Sequence, residues 1–440
     1  MNAEILTPGS LSAAETLLLQ RLRQQPALQG HFEQLLEWVC APSSDLATAD
    51  AIEAVVAAEL RALGLATLTH WAVGREAAVA AALRATDPTV RSRKKKVFYW
   101  WCVYGAIRVV DRVWRSATQN YVRPLPASLG MTCRGRSRRL ERVLTDFGSE
   151  HTFVRAAAMV WEHYGVVVGA SPVRTTTLKQ AQRARVGLQA EYAAPFRALP
   201  AQGPEQIIAE ADGTMICTVP SGRRRAKRPR QWEEMRLVAA VAKGSTTPVF
   251  GATFGSVAEA GQRWGHCARK AGRALPSHLH VVGDGAPWIP LQGAEVFGTQ
   301  MTFLCDYYHV TEYLAGAAPT CRPGQPKAWR HIQQKRLKRG AAGQVVAALA
   351  RALEPACIPE ELAPVRAGHR YLLNRLDSLD YPRAIRLELP IGSGLIESGH
   401  RHVLQARLKK AGAAWVHDNA DQMAHLRVLR ANQEWSAFWN

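Results

Sequence analysis

Residues 205–315 alternate short apolar runs with turn residues, and this pattern constrains the fold more than any other feature of the sequence. Apolar and β-branched runs predict strands, and apolar residues at helical spacing predict helices. In order, the predicted elements are strands at 205–219, 237–243 and 248–254, a helix at 257–273, strands at 278–282 and 300–305, and a helix from residue 309. Strands and helices that follow one another in this way form an α/β domain.

The formal net charge is +20, and it is unevenly distributed. Residues 1–90 hold 5 Arg and no Lys against 10 Asp and Glu, a net charge of −5, so residues 91–440 carry +25. This surplus favours a polyanionic partner, usually nucleic acid, and a basic surface that binds nothing is the alternative. No apolar run is long enough to span a membrane, and the N-terminus lacks the basic start of a secretory signal. We therefore expect a cytoplasmic, nucleoid-associated bacterial protein without a membrane partner.

A helix, a short turn and a basic helix are predicted between residues 153 and 185. An apolar stripe runs through 153–164, Gly165 can end that helix, and Ser171-Pro172 predicts the start of the next. This arrangement is typical of a helix-turn-helix DNA reader, and an ordinary helical hairpin is the alternative. The cations of the second helix that we expect to contact DNA are Arg174, Lys179 and Arg183.

The segment in front of these helices combines a basic run with apolar strands. The run RSRKKK at 91–96 predicts a solvated tether, with phosphate contact as the alternative. Residues 97–123 are rich in Val, Tyr, Trp and Ile and predict short strands that turn near Gly105.

The charge and the element order together predict the organisation of the chain. An RNase H-like sheet has this order of elements: three consecutive strands, then a helix, and then alternating strands and helices. We expect an α/β fold with an RNase H-like catalytic core and a helical insertion, preceded by a mainly helical DNA-binding region. The predicted regions are an N-terminal helical region at 1–90 with helices at 11–40 and 50–85, short strands and a helix-turn-helix-like DNA-binding region at 91–200, the first part of the core at 201–315, a helical insertion at 316–390, and a C-terminal catalytic helix region at 391–440.

Three acidic residues stand where carboxylates are costly or where ligands bind. Asp212 lies inside the first predicted strand, where an unpaired acid is costly. Asp284 follows the buried strand at 278–282, at the end where open α/β sheets bind ligands. For both, a turn aspartate is the alternative. Glu397 follows the Gly-rich loop at 392–394, where a glutamate also satisfies a helix dipole.

The three carboxylates become informative when they are taken together. Two divalent ions about 3.5–4 Å apart can clamp the attacking and leaving oxygens in phosphoryl transfer. Mg²⁺ prefers carboxylate oxygens to Cys or His. Two strand carboxylates and one helix carboxylate converge if the helix packs across the sheet. We therefore expect Asp212, Asp284 and Glu397 to be catalytic and to bind Mg²⁺, with Mn²⁺ as the alternative ion.

Four sequence blocks carry a resemblance to a known family. They are ADGTMI at 211–216, VVGDGAPWI at 281–289, DYYHVTEYL at 306–314 and GSGLIESGHRHVLQARLKKAGAAW at 392–415. Over 205–415 the chain resembles the DDE transposases of bacterial insertion sequences, particularly the ISKra kind. The likeness extends more weakly to PLPASLGM at 124–131.

The resemblance implies roles for the same residues. Asp212 and Asp284 correspond to the first and second catalytic Asp and Glu397 to the catalytic Glu, with separations of 72 and 113 residues that fit a helical insertion before the Glu. Asp306 and His309 match an accessory D-x-x-H motif, and a structural role is the alternative for His309. The implied reaction is metal-dependent strand cleavage at the ends of the element, followed by attack of the freed 3′-OH on target DNA.

Double-stranded DNA, at the element ends and at the target, is the implied partner. Pairing of two ends leads us to expect a homodimer or higher oligomer on DNA. Two further groups of cations predict phosphate contacts, with a solvated basic surface as the alternative. They are Arg401, Arg407, Lys409 and Lys410 after Glu397, and Arg223, Arg224, Arg225, Lys227 and Arg228 between the first two core strands.

Two other functions stay open at this point. One is an RNase H-like structure-specific nuclease that cuts DNA without joining it. The other is a catalytically inactive, transposon-derived DNA-binding protein. Strand-transfer products separate the first from a transposase, and metal-dependent nicking excludes the second.

The eight cysteines are scattered singly, without a C-x-x-C pair, which predicts reduced thiols. Relatives in the resembled family often carry cysteine pairs ahead of the helix-turn-helix. Here Cys102 and Cys133 stand alone, which argues against structural zinc.

Overall fold

The computed structural model describes residues 11–40, 48–116, 121–194, 198–222 and 229–440. The chain divides into two compact units, Met1–Thr177 and Leu178–Asn440. The five regions expected from the sequence are a finer division and stay a prediction. Within the described residues, no helix is both long enough and apolar enough to cross a membrane. All eight cysteines lie in these residues as free thiols, as expected.

The first unit is helical apart from one hairpin. Its elements are α1 (Ala13–Arg23), α2 (Pro26–Cys40), α3 (Ala49–Thr86), β1 (Arg91–Cys102), β2 (Gly105–Arg115), α4 (Pro124–Leu129), α5 (Arg138–Glu150), α6 (Phe153–Tyr164) and the start of α7 (Ala170–Tyr192), which contains the boundary between the units. The helices predicted at 11–40 and 50–85 are confirmed. Thr48 caps α3, because its hydroxyl accepts a hydrogen bond from the Ala51 N–H at 3.2 Å.

The hairpin corrects one prediction and confirms another. The chain turns at Gly105, as predicted, with a φ of 131° that favours glycine. The run at 91–96 is not a tether, because it pairs with β2 as the first half of β1. Further along the ribbon, Phe98, Trp100 and Ile107 form a core with Ala72 of α3.

The predicted pair of helices before the core is present as α6 and α7. α6 ends at Gly165 in the left-handed conformation, as predicted, with a φ of 64°. α7 begins at Ala170, just before the predicted start at Ser171-Pro172, so Ser171 lies inside its first turn and does not cap it. Leu144 of α5, Val160 of α6 and Val173 of α7 share one buried cluster.

The second unit contains the other strands and eleven further helices among the residues described. They are β3 (Gln206–Val219), β4 (Gln231–Ala242), β5 (Val249–Thr253), α8 (Val257–Lys270), β6 (His278–Gly283), α9 (Trp288–Phe297), β7 (Met301–Cys305), α10 (Tyr307–Cys321), α11 (Pro326–Lys338), α12 (Ala342–Ala350), α13 (Pro364–Leu373), α14 (Tyr381–Arg386), α15 (Gly394–Gly399), α16 (Ala406–Leu408), β8 (Trp415–Val416), α17 (His417–Ala431) and α18 (Trp435–Trp439). A π-helix at His400–Gln405 joins α15 to α16.

These strands form one mixed sheet with the order β5-β4-β3-β6-β7, and β8 pairs with the end of β3. β3, β4 and β5 are antiparallel neighbours, whereas β6 runs parallel to β3 and β7 runs parallel to β6. The α/β class expected from the sequence is thereby confirmed. β4 begins at Gln231, six residues before its predicted start, because residues 231–236, four of them polar, pair with 213–218 of β3.

Helices cover both faces of the sheet. On one face, Ile207 and Ala211 of β3 pack with Trp264 of α8 and Ile289 of α9. On the other face, the core formed by α10 to α14 includes Val282 of β6. Side chains alternate along a strand, so the even-numbered residues of β3 face away from α8 and α9.

Candidate active site

Asp212 and Asp284 lie at the same level of neighbouring parallel strands. Glu210 of β3 is the register partner of Val282 of β6, and each aspartate follows two residues later. Gly283 confirms the close approach, since a Cβ built on it would lie 3.6 Å from the Ala211 carbonyl oxygen. The sequence prediction placed both acids at strand positions but could not place them side by side.

Local hydrogen bonds hold both aspartates. The Gly213 N–H donates to Asp212 Oδ1 at 2.7 Å. The Ala286 N–H donates to Asp284 Oδ1 at 2.8 Å, which closes a turn directly after β6. Both side chains are half-exposed, so one oxygen of each carboxylate is used by the backbone and the site opens to solvent.

The turn after β6 is also held from the helical segment. The Tyr371 hydroxyl donates to the Asp284 carbonyl oxygen, and the Arg375 guanidinium donates to the Gly285 carbonyl oxygen at 2.7 and 3.1 Å. A cavity of about 300 Å³ adjoins this contact and is lined by Tyr313, Tyr371 and Arg375, among others. Residues of α10 and α13 therefore fix the backbone that carries Asp284.

α15 lies across β3 and β4 and carries Glu397 on its exposed side. The Ile396 N–H donates to Glu210 Oε2 at 2.8 Å. One turn later, His400 Nε2 lies 3.3 Å from Asp212 Oδ2. Glu397 thus stands on the helix between the residue that contacts Glu210 and the residue that contacts Asp212.

Glu210 is a site residue that sequence reasoning missed. Its side chain is 1% exposed, on the same face of β3 as Asp212. Burial first, and then the nearby Asp306 and Glu397 charges, raise the pKa of Glu210 to about 8 against the opposing effect of the Ile396 N–H. The signal was available, because Glu210 is an acid two residues before Asp212 within an apolar strand.

His400 is the second residue that was missed. It is 4% exposed, and among the residues that the structure describes neither ring nitrogen has a hydrogen-bond partner of good geometry, although Nε2 is within ion-pair distance of Asp212. It stands three residues after Glu397, where α15 passes into the π-helix. Its ring is therefore aimed at Asp212 from the helix that carries Glu397.

Asp306 has a clear structural position. It is 2% exposed, and its Oδ1 caps α10 by accepting the N–H groups of Tyr308 at 2.6 Å and His309 at 3.1 Å. Its Oδ2 accepts the Ser393 N–H at 2.7 Å and the Ser393 hydroxyl. Asp306 therefore ties the end of β7 to the loop that leads into α15.

His309 points into an aromatic cluster of the helical segment. Its ring meets Tyr313 and Tyr371 edge-on, with centroids 5.5 and 5.7 Å away, and its Nδ1 lies 3.5 Å from Glu312 Oε2. These contacts explain His309 as a packed structural residue. Its accessory role in the D-x-x-H motif stays a prediction.

The predicted DNA-contacting cations occupy different environments. Arg174, Lys179, Arg401 and Lys409 are exposed, and Lys410 is half-exposed. Arg183 stacks on Phe438, with its guanidinium carbon 3.8 Å from the ring centroid. Arg407 is buried, with its guanidinium carbon 4.7 Å from the ring centroid of Trp415. The loop cations Arg223, Arg224, Arg225, Lys227 and Arg228 lie outside the described residues.

The described residues contain no group of three or more His, Cys, Asp or Glu side chains spaced to hold a metal ion. The donors nevertheless suit one kind of ion. Asp212, Asp284 and Glu397 offer accessible carboxylate oxygens, which are the hard ligands that Mg²⁺ takes, and no thiolate stands among them.

The fold and the site together define a mixed α/β protein in which Asp212, inside β3, and Asp284, directly after β6, lie at the same level of two parallel strands. Residues 274–436 match the model of an uncharacterised protein family, UPF0236. The matched segment runs from before β6 to the start of α18 and includes Asp284, Asp306, Glu397 and His400, whereas Asp212 precedes it. A search of curated proteins finds no match to the chain.

Proposed function

We propose that this protein is a DDE transposase, which cleaves the ends of an insertion sequence and joins them to target DNA. The observation that carries the proposal is that Asp212 of β3 and Asp284, directly after β6, lie at the same level of these parallel strands, while α15, which carries the exposed Glu397, contacts β3 through Ile396. The strand order, with three antiparallel strands followed by two parallel ones, supports an RNase H-like assignment of the core.

The three carboxylates would hold the divalent ions, Mg²⁺ or Mn²⁺. When bound, such ions supply Lewis acidity and activate an oxygen nucleophile for phosphoryl transfer. The protein's own contribution is positioning. Tyr371 and Arg375 hold the turn that carries Asp284, and Glu210 holds the helix that carries Glu397. A fixed arrangement of this kind lowers the cost of aligning the reacting groups.

Affinity for DNA would come mainly from phosphate contacts, which carry no sequence information. The exposed cations Arg401 and Lys409 follow Glu397 in the chain, and they are suited to hold a strand near the carboxylates. Arg174 and Lys179 on α7 are the candidates for recognition of the element ends. A homodimer or higher oligomer follows from the need to pair two ends, so it belongs to the same proposal.

The test is a cleavage and strand-transfer assay with Mg²⁺ on labelled DNA that carries the sequences flanking the coding region. The variant is Asp284→Asn, which keeps the oxygen that accepts the Ala286 N–H and removes the metal-binding charge. Asp377→Asn is the matched control, because Asp377 is exposed. We expect the parent and the control to cut and join, and Asp284→Asn to lose more than about 100-fold of both activities while it still binds DNA.

Other outcomes would replace the proposal. Cleavage without joined products favours the structure-specific nuclease. DNA binding without any cleavage, with Mn²⁺ also tried, favours the catalytically inactive DNA-binding protein. An Asp284→Asn variant as active as the parent would show that the site is elsewhere.

A further inference from the structure

The first half of β1 is an exposed, strongly basic strand. Every residue from Arg91 to Val97 is exposed, and five of these seven are Arg or Lys. β1 contains no acidic residue. Two acids of this unit are already paired, since Asp111, the register partner of Lys96, binds Arg123 at 2.5 Å and Glu76 binds Arg112 at 3.1 Å. Asp87 interacts electrostatically with Arg91. The charges of Arg93, Lys94, Lys95 and Lys96 are therefore not neutralised by these three acids.

The strand has a fixed shape, because β2 pairs with it. Lys94 is the register partner of Val113, and Lys95 that of Arg112, after a bulge between Ser92 and Lys94. Phe98 follows directly and is fully buried, which anchors the ribbon in its unit. Cations held on a paired strand lose less conformational freedom on binding than cations on a tether.

The basic surface continues on β2. Arg108 is exposed and lies over the Tyr99 ring, with its guanidinium carbon 5.6 Å from the centroid. Arg115, at the far end of β2, is exposed and pairs in register with Arg91. The ribbon thus presents cations on both strands.

We propose that the basic ribbon, defined here as Arg91–Val97 with Arg108 and Arg115, is a binding surface for the phosphates of double-stranded DNA. At about 3.3 Å per residue, its first six residues span roughly 17 Å. Duplex DNA carries one charge per about 1.7 Å with both strands counted, so a length of duplex equal to the strand holds about ten phosphates, a part of which can face the ribbon.

The distribution of the cations favours DNA over a membrane. Strand alternation sends neighbouring residues to opposite faces, so the consecutive cations Lys94, Lys95 and Lys96 point to both sides of the ribbon. A two-stranded ribbon fits the major groove, where phosphates stand on both sides of it. A basic segment can also bind anionic lipids, but only the cations on one side of the ribbon can reach a flat membrane at the same time. Lysines on an edge strand can also serve only to prevent aggregation, and the binding test separates this role from DNA binding.

This proposal adds a DNA-binding surface to the proposed function. Because it does not depend on DNA cleavage, its test measures DNA binding alone. A variant with Arg93, Lys94, Lys95 and Lys96 all changed to Gln is compared with the parent by fluorescence anisotropy on a labelled duplex, in EDTA, over a series of salt concentrations. The matched control changes four exposed cations of the second unit, Arg322, Lys327, Lys335 and Arg339, to Gln, which removes the same net charge.

We expect the ribbon variant to bind at least about tenfold more weakly at 0.1 M salt. The slope of log affinity against log salt should fall by about one for each phosphate that the variant no longer binds, up to about four. The control should stay within about threefold of the parent. A circular dichroism spectrum and melting temperature equal to those of the parent show that the variant is folded. If it is not, Lys94→Gln with Lys95→Gln replaces it, with an expected slope change of one to two.

Three outcomes would overturn the proposal. In the first, the ribbon variant binds DNA as the parent does, with the same salt slope. In the second, the control is weakened as much as the ribbon variant, so that only net charge matters. In the third, binding to phosphatidylserine vesicles falls while DNA affinity is kept, which assigns the ribbon to a membrane. A chain that never cleaves DNA would refute the transposase proposal and leave this one standing.

Discussion

Gly399, where α15 crosses the sheet, has no room for a side chain. A Cβ at this position would lie 2.7 Å from Phe250 Cε1 and 3.0 Å from Leu237 Cδ2. The backbone has ordinary helical angles, with φ −56° and ψ −48°, so the glycine is needed for its small size and not for its conformation. Leu237 is the register partner of Asp212, which places this contact beside the candidate site.

Two opposing effects determine how much Gly399→Ala changes the free energy of unfolding. Alanine is favoured over glycine in a helix by about 1 kcal/mol. Overpacking of a core costs about 1–3 kcal/mol, and here both neighbours are buried, with Leu237 fully so and Phe250 7% exposed. An ordinary contact needs 3.4 Å or more, so the ring and the helix must separate by about 0.7 Å. We expect the clash to prevail, with a net loss of about 1–2 kcal/mol in the free energy of unfolding.

The assay is urea or thermal unfolding of the full chain. A loss of this size lowers the melting temperature of a unit this large by about 2–8 °C. The matched control is Gly394→Ala on the same helix, where a Cβ meets nothing within 4 Å, and it should be neutral or stabilising by up to about 1 kcal/mol. A Gly399→Ala protein at least as stable as the parent would refute the packing of α15 on Phe250 and Leu237. If it is destabilised as expected, its cleavage activity should fall by more than that of Gly394→Ala.

Two further predictions concern buried polar groups. Asp306→Ala leaves the Ser393, Tyr308 and His309 N–H groups without their acceptor, so we expect a loss of about 3–5 kcal/mol, and an unchanged urea midpoint would contradict this. Burial, helped by the Lys270 charge and opposed by Glu191, lowers the pKa of His266 to about 4. The neutral histidine therefore stabilises the fold above pH 6.5, and this contribution, up to about 3 kcal/mol, is lost as the pH falls towards 4. His266→Gln should reduce this acid-induced loss in unfolding measured from pH 7 to pH 4, and an unaltered pH profile would show that His266 does not cause it.

Local sequence signals predicted the elements whose limits depend on near neighbours. The apolar run before Asp284 ends at Gly-Asp-Gly, and β6 ends at Gly283 as that pattern indicates. Gly165 ends α6 because a left-handed residue stops a helix without help from elsewhere in the chain. In these cases the residues that set the structure are within a few positions of it.

Elements that depend on distant pairing were missed or misplaced. The run at 91–96 is polar and has no strand periodicity, and it is a strand only because β2 pairs with it. β8 consists of two residues, Trp415 and Val416, and exists because they pair with the end of β3. A local pattern cannot indicate such a strand, since the hydrogen-bond partners lie far away in sequence.

The candidate site also combines residues that local sequence signals predict with residues that only distant packing brings together. Asp212, Asp284 and Glu397 were singled out one at a time, from a strand interior, a strand end and a helix start. Glu210 could have been found by alternation along β3, because it shares a face with Asp212. The contact of His400 with Asp212 joins residues far apart in sequence, and only the packing of α15 on the sheet creates it.

The helical segment between β7 and α15 reaches the acidic residues by two routes. Tyr371 and Arg375 bind the backbone of the Asp284 turn. At its beginning, Asp306 binds the Ser393 loop from which α15 starts. One buried core includes both Tyr371 and the helix that Asp306 caps. Because a close-packed core is rigid and transmits strain, it holds the Asp284 turn and the start of α15 in one fixed arrangement, and repacking it should change the separation of Asp284 from Glu397.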